Sequence, residues 1–125
     1  MATYEASVTA SFAARHSVRM PDGNMEQPHQ HDWQVTAAFR ADRLDANGFV
    51  IDFLRAREAL DEVASELAGA DLNDITNCPA GASAERVAEY IARSLHCKVG
   101  REPYCVSVGE SAGCAAAFYP GSAAT

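Results

Sequence analysis

Residues 4–16 read YEASVTASFAARH, and the alternation of apolar and polar side chains in this stretch decides the fold. A period of two residues over this length is typical of a long antiparallel strand with one buried face. The strand is predicted to end at Arg15 and His16, before the turn-forming cluster MPDGN of residues 20–24. The side chains predicted to share its apolar face are Tyr4, Ala6, Val8, Ala10, Phe12 and Ala14.

Other parts of the chain repeat this strand pattern. A second alternating run begins at His31, and residues 104–108 and 114–119 alternate again near the C-terminus. Asn47 and Gly48 form a hairpin-type turn signal, and we predict that residues 49–51 after it form a short apolar strand. The apolar face of the second run consists of Trp33, Val35, Ala37 and Phe39.

The apolar period changes to that of helices in the middle of the chain. Asp52 is predicted to cap a helix that runs to about Leu67, and Ser83 is predicted to cap a second helix. Residues 69–82 between them contain asparagine, proline and glycine and are predicted as a loop. The order β-β-(β)-α-α-β-β predicts an α+β fold with the helices packed on one face of an antiparallel sheet. We expect one domain over residues 1–120 and a short flexible tail over 121–125.

Length and charge exclude several classes of function. The 125 residues, 48% of them apolar, are enough for one domain with its own core. The formal net charge of −7 argues against a nucleic-acid partner, because a phosphate backbone needs a basic face. No apolar stretch approaches the ~18 residues of a membrane span, and the first residues do not read as a signal peptide. We therefore expect a cytoplasmic protein with reduced cysteines and no membrane partner.

Three histidines predict a metal centre. His29 and His31 are two residues apart, so both imidazoles point to the same side of the sheet if the second strand begins there. His16 ends the first strand and lies beside this pair if the two strands form a hairpin. Three protein ligands and one open position are the arrangement of a catalytic zinc, whereas three surface histidines near a loop would bind nothing. His96 is predicted in the last turn of the second helix and is given no metal role.

Six short motifs, in order along nearly the whole sequence, resemble those of the 6-pyruvoyl-tetrahydropterin synthase and 6-carboxy-tetrahydropterin synthase family. The family motifs are a strand end F-x-A-x-H, an H-G-H, a G-[apolar]-V-x-D-F stretch, an L-N pair, a T-x-E helix start and a late E-T. Their counterparts here are FAARH at 12–16, HQH at 29–31, GFVIDF at 48–53, LN at 72–73, SAE at 83–85 and ES at 110–111.

The resemblance implies a T-fold subunit, in which two helices pack on one face of a four-stranded antiparallel sheet. Such subunits assemble into trimers that stack into hexamers, with active sites shared between chains. A homo-oligomer is therefore expected here as well.

The resemblance also implies a site and a substrate. Zinc would be held by His16, His29 and His31, and a pterin would be bound by Glu110 and the neighbouring Ser111. A carboxylate can accept two parallel hydrogen bonds from the ring N–H and the exocyclic amine of a pterin. The family's substrate is 7,8-dihydroneopterin triphosphate, and zinc would polarise its side-chain hydroxyls for proton removal or carbon–carbon cleavage.

The sequence departs from the family at its catalytic positions. Met25 stands where the family has a cysteine, four residues before the H-x-H motif, and a thioether cannot act as a base. Ala68 and Gly69 stand where the family has an Asp-His pair. Glu26, three residues before His29, resembles instead a glutamate-type subgroup that lacks the cysteine and cleaves the side chain to a 6-hydroxymethyl pterin.

Two functions from different classes fit these residues. The first is a zinc-dependent lyase that acts on 7,8-dihydroneopterin or its triphosphate by breaking a carbon–carbon bond of the substrate's side chain, with Glu26 as the general base. The second is a catalytically inactive, zinc-containing homologue that binds a pterin or a purine, in which Glu26 is a solvated loop acid. The inert residues at the family's catalytic positions favour the second, and the retained metal and anchor motifs favour the first.

Overall fold

The structure is a computed structural model that describes residues 2–121, apart from the side chain of Ser111. Met1 and residues 122–125, which include most of the predicted tail, lie outside the described residues. The elements are β1 (Tyr4–His16), β2 (His29–Ala41), α1 (Phe53–Leu67), α2 (Leu72–Ile75), α3 (Ala84–Val99), β3 (Cys105–Ser111) and β4 (Cys114–Phe118). The strands form one antiparallel sheet in the order β1-β2-β3-β4. The long helices pack side by side on this sheet, α1 on β1 and α3 on β3 and β4, so the predicted α+β architecture is confirmed.

The hairpin of β1 and β2 is the longest paired unit of the molecule. All 13 residues of β1 pair with β2, and the register ends with His16 opposite His29. Because paired residues share a face of the sheet, alternate side chains of both strands meet the helices. Trp33 is fully buried there, with its ring centroid 6.2 Å from that of Phe12. The other buried apolar strand residues on this face are Val8, Ala14, Val35, Ala37, Phe39, Val106 and Val108, whereas Ala38 is buried on the opposite face.

Both predicted helix caps are confirmed. The Asp52 carboxylate accepts a hydrogen bond from the backbone N–H two residues on, at 2.9 Å, and α1 begins at the next residue. The Ser83 hydroxyl accepts one from the N–H three residues on, at 3.2 Å, and α3 begins at the next residue. Each helix turns an apolar stripe to the sheet: Ala56, Ala59, Leu60, Val63, Ala64 and Leu67 in α1, and Val87, Ala88, Ile91, Ala92, Leu95 and Val99 in α3.

The predicted short strand at residues 49–51 is wrong. Among the described residues this backbone pairs with no strand, and its hydrogen bonds go to Asp45 and Arg101 instead. The Asp45 carboxylate accepts the Phe49 N–H at 2.9 Å, and the Arg101 guanidinium donates to the Val50 carbonyl. An apolar run is ambiguous without alternation, and here it forms the lead into α1.

The predicted loop at residues 69–82 is wrong in part, since it contains the short helix α2. Asp71 caps α2 by accepting a hydrogen bond from the Asn73 N–H at 3.0 Å, and the Leu72 side chain is fully buried. A helix of four residues has too few apolar positions to show a period, so the sequence pattern did not predict it.

The structure also bears on the cysteines and on membrane insertion. All four cysteines are free, with Cys78 and Cys105 half-buried and Cys97 and Cys114 exposed.

Among residues 2–121, no helix combines the length and the apolar character that crossing a bilayer requires.

Candidate functional site

Three histidine side chains meet where the β1–β2 hairpin ends. The register places His16 opposite His29. Strand β2 begins at His29, two residues before His31, where the second alternating run was predicted to begin. His31 lies on the same face because it is two residues further along the strand. One ligand nitrogen from each ring lies within 4.8 Å of the others. These three residues are called the histidine trio below.

His16 is the buried member of the trio, with 2% of its surface exposed. Its Nδ1 lies 2.7 Å from the carbonyl oxygen of Ala82. A carbonyl can only accept a hydrogen bond, so Nδ1 donates its N–H, and the neutral form of this ring has its lone pair on Nε2. This buried Nε2 has no hydrogen-bond partner among the described residues, and it faces the other two histidines.

The trio fits a zinc ion better than a purely structural role. Neutral imidazole nitrogens are preferred zinc ligands, and three of them leave a position open for a substrate. A ligand histidine commonly donates its second ring N–H to a carbonyl, as His16 does. A buried nitrogen without a partner is costly unless something binds it, and a metal ion would satisfy it.

Glu26 lies beside the trio, on the loop between β1 and β2. Its Oε1 accepts a hydrogen bond from the Val18 N–H at 3.0 Å and lies 3.6 Å from His29 Nδ1. The backbone N–H of Glu26 donates to the Val18 carbonyl at 3.0 Å, so the loop holds this residue at both its main chain and its side chain. The side chain is one-quarter exposed, which leaves it open to a ligand.

Glu110 approaches the trio from β3. Its Oε2 lies 3.4 Å from the unpartnered Nε2 of His16, and 30% of its side chain is exposed. The β3–β4 register shifts between Gly109 and Ser111, and such an irregularity re-aims the side chains beside it. The side chain of Ser111, the other predicted pterin contact, lies outside the described part of the structure.

The residues that the resemblance places at catalytic positions carry no acid or base. Met25 is an exposed loop residue, and Ala68 and Gly69 follow the end of α1. The thiol of Cys78, half-buried in the loop after α2, lies 3.5 Å from the Thr76 carbonyl oxygen.

Two contacts at the trio were not predicted from the sequence. The Trp33 ring packs edge-on against His16, with centroids 4.8 Å apart, and its Nε1–H donates to the Ala14 carbonyl at 3.2 Å. The side-chain amide of Asn73 bonds to Ser17, the residue that follows His16. Asn73 belongs to the L-N motif, and the motif alone did not predict its hydrogen bonds to Ser17.

The family model for 6-pyruvoyl tetrahydropterin synthase matches residues 5–120. The protein belongs to the 6-pyruvoyl tetrahydropterin synthase family. The match covers β1 from its second residue, the other three strands, the three helices, the trio, Glu26 and Glu110.

Solved structures of the family share its fold with this protein. The 6-pyruvoyl tetrahydropterin synthase of Caenorhabditis elegans superposes with a TM-score of 0.78 at 15% identity, over 95% of this chain and 96% of that chain. The Plasmodium falciparum enzyme gives 0.73 at 19% identity, over 93% and 96%. A Plasmodium vivax 6-pyruvoyltetrahydropterin synthase, described as a catalytic-residue mutant with alanine in place of a glutamate, gives 0.74 at 17% identity, over 94% and 98%. The predicted T-fold is confirmed by this likeness. A search of the curated proteins gave no significant match.

Proposed function

We propose that this member of the family is a zinc-dependent lyase that cleaves the side chain of 7,8-dihydroneopterin or its triphosphate. The observation that carries the proposal is the buried, unpartnered Nε2 of His16, which faces His29 and His31. A catalytic zinc needs three such ligands and an open position. Membership of the 6-pyruvoyl tetrahydropterin synthase family supports a pterin as the substrate class.

Zinc would be held by His16, His29 and His31. When bound, it supplies Lewis-acid polarisation of a substrate hydroxyl, which lowers the cost of removing its proton. The Ala82 carbonyl orients the His16 ring, and the Gln27 carbonyl lies 3.1 Å from His29 Nδ1. These contacts would leave Nε2 of His16 and of His29 available to the metal, as the outer hydrogen bonds of metal ligands do.

Glu110 would anchor the pterin ring, with Ser111 as a neighbouring contact. The anchor role is supported by the position of Glu110, whose carboxylate lies next to the trio and is open enough to meet a ligand. Two parallel hydrogen bonds from the ring N–H and the exocyclic amine would fix the ring in one orientation. The substrate side chain would then extend toward the histidines.

Glu26 would act as the general base. With Oε1 held by the Val18 N–H, the carboxylate can take the proton of the hydroxyl on the second carbon of the substrate's side chain. A carbonyl forms at that carbon as its bond to the first carbon breaks, and the electron pair passes into the adjacent ring imine. Return of a proton to the first carbon gives a 6-hydroxymethyl pterin and a two-carbon aldehyde. In the Plasmodium vivax relative a glutamate is described as a catalytic residue, which supports a glutamate in this role.

A second candidate is a binding protein without catalysis. It is favoured by the hydrogen bond between Glu26 and Val18, which gives this carboxylate a structural role in the loop. It is also favoured by Met25, Ala68 and Gly69, which carry no acid or base. Such a protein would retain the zinc and the Glu110 anchor and would hold a pterin or a purine unchanged.

We propose that the protein forms a homo-oligomer, a trimer or a hexamer, and that it works in the cytoplasm. In the described sheet, β1 and β4 pair with a neighbour on one side only, so each offers an edge to another copy. The four free thiols are those expected in a reducing compartment.

The two candidates are separated by measuring pterin binding and turnover on the same zinc-loaded samples. We expect wild type to convert 7,8-dihydroneopterin or its triphosphate, and Glu26→Gln to bind it but to lose roughly 10²–10⁴-fold in kcat. Glu110→Gln should lose pterin affinity instead, because an amide replaces one acceptor by a donor. Glu58→Gln, at an exposed acid on α1, is the matched control.

Tight pterin binding by wild type with no product from either substrate would reject the lyase and support the binding protein. A cysteine-type relative that turns over in the same assay shows that the assay works. Absence of any pterin binding would reject the lyase, and absence of both pterin and purine binding would reject both candidates.

A further inference from the structure

Asn73 lies outside the histidine trio, yet its side chain joins the two segments that hold His16. Its Oδ1 accepts hydrogen bonds from the N–H groups of Ser17, at 3.1 Å, and Ala82, at 3.3 Å. Its Nδ2 donates to the Ser17 hydroxyl at 3.2 Å. Ser17 follows His16 in the sequence, and the Ala82 carbonyl accepts the Nδ1 hydrogen of His16. The Asn73 amide therefore contacts both Ser17, which follows His16, and Ala82, whose carbonyl orients the His16 ring.

Asn73 is itself held firmly. Its N–H donates to the Asp71 carboxylate at 3.0 Å, and its carbonyl accepts the Cys78 N–H at 2.9 Å. The preceding residue, Leu72, is fully buried in the core. The side chain thus projects from a fixed turn of α2 into the gap between the end of β1 and the start of α3.

We propose that Asn73 is a positioning residue of the metal centre, an inference that rests on the zinc site of the proposed function. The amide keeps the Ala82 carbonyl where it bonds His16 Nδ1, so that His16 presents an unprotonated Nε2 to the metal. Without Oδ1, only the hydrogen bond from the Ala82 N–H to the Ser17 carbonyl, at 3.2 Å, joins these two residues directly. The segment before α3 can then shift relative to β1, and His16 loses its fixed orientation.

Three substitutions separate this role from general stability. Asn73→Ala removes both bonds to Oδ1. Asn73→Asp keeps an acceptor oxygen for the Ser17 and Ala82 N–H groups, so it is the rescuing variant. Thr76→Val, the matched control, removes a hydroxyl that donates to the Leu72 carbonyl within α2 and touches neither Ser17 nor Ala82.

The experiment measures zinc affinity by competition with a chromophoric chelator, together with the visible spectrum of the Co²⁺-loaded protein and the thermal unfolding of the metal-free protein. We expect Asn73→Ala to bind Zn²⁺ about 10- to 100-fold more weakly, which is the loss that follows when a hydrogen-bond partner of a metal ligand is removed. The visible absorption bands of the Co²⁺-loaded variant should also differ from those of wild type. Asn73→Asp and Thr76→Val should bind zinc within about threefold of wild type, even where Thr76→Val unfolds at a lower temperature.

The inference is overturned if Asn73→Ala binds zinc as wild type does, or if Thr76→Val weakens binding as much. If wild type binds no zinc, both this inference and the proposed zinc site are overturned. The two results named before that overturn only the role of Asn73 and do not affect the proposed zinc site. If Asn73→Ala does not fold, Asn73→Ser takes its place, because the shorter hydroxyl cannot reach both N–H groups, and the same outcomes decide.

Discussion

His16 is the buried side chain of the histidine trio. A polar atom that is buried without a hydrogen-bond partner costs about 1–3 kcal/mol, and His16 Nε2 has no such partner among the described residues, with Glu110 Oε2 3.4 Å away. The metal-free protein therefore carries a local cost that a bound zinc ion would remove. Stability and metal binding should be coupled through this one nitrogen.

This coupling predicts a zinc-dependent rise in the melting temperature that His16→Ala abolishes. A ligand at about 1,000 times its Kd stabilises the folded state by about 4 kcal/mol, if it does not bind the unfolded polypeptide. The matched control is His96→Ala, since His96 lies in the last turn of α3 and its Nδ1 is 3.9 Å from a Glu102 carboxylate oxygen. Thermal unfolding with and without Zn²⁺ measures the effect. The same rise in wild type and His16→Ala would contradict the assignment.

At the scale of elements, the loop before α3 has to approach the end of β1 closely. Gly81 bridges to Val18 there, with φ at +139°, and a Cβ would lie 3.1 Å from the Val18 Cα. The Ala82 carbonyl that orients His16 belongs to the next residue, so this approach fixes the site. Any side chain at position 81 would press against the backbone of the β1 end.

We therefore predict that Gly81→Ala destabilises the metal-free protein by about 2–4 kcal/mol, from backbone strain plus the clash. Gly23→Ala is the control, because Gly23 also has a positive φ, +91°, but a Cβ there would meet nothing within 4 Å. Its cost should be about 1–2 kcal/mol, from strain alone. Chemical denaturation measures both, and equal losses would show that the close approach is unimportant.

The elements that could be predicted from sequence are those with a long, regular pattern. Strict alternation predicted β1, and the helical stripes after Asp52 and Ser83 predicted α1 and α3. The pattern failed at residues 49–51, where Asp45 and Arg101 take the backbone hydrogen bonds that a strand partner would need. Such long-range side-chain contacts leave no local periodicity.

The same distinction holds for the site. Spacing alone placed His29 and His31 on one face, and the hairpin placed His16 near them. The unpartnered Nε2 of His16 depends on Ala82, 66 residues away, which no local pattern encodes. Likewise, Asn73 acts over a long sequence separation, between α2, β1 and the start of α3.

For the whole molecule, the exposed edge of β1 predicts association. Phe53 and Leu54 at the start of α1 are 58% and 80% exposed, and they line a cavity with Ser7, Val8 and Thr9 of β1. An edge strand beside an apolar patch is a ready contact for another copy. A site shared between subunits would then require the assembly.

We predict that wild type sediments as a trimer or larger and that Leu54→Glu shifts it toward the monomer. A buried charge at an interface is costly, so the substitution should weaken association strongly. Leu44→Glu, a half-exposed apolar residue outside this patch, is the control. Analytical ultracentrifugation measures the species, and an unchanged oligomer in Leu54→Glu would place the contact elsewhere.

We propose that the histidine trio supports zinc-dependent cleavage of a pterin side chain. The most direct test of this proposal is mass spectrometry of the products formed from 7,8-dihydroneopterin and its triphosphate by the same protein with zinc bound and after zinc removal. A 6-hydroxymethyl pterin and a two-carbon aldehyde should form with zinc, disappear with its removal and return on its addition. Unchanged substrate in the zinc-loaded sample, or equal product in the zinc-free sample, would contradict the claim.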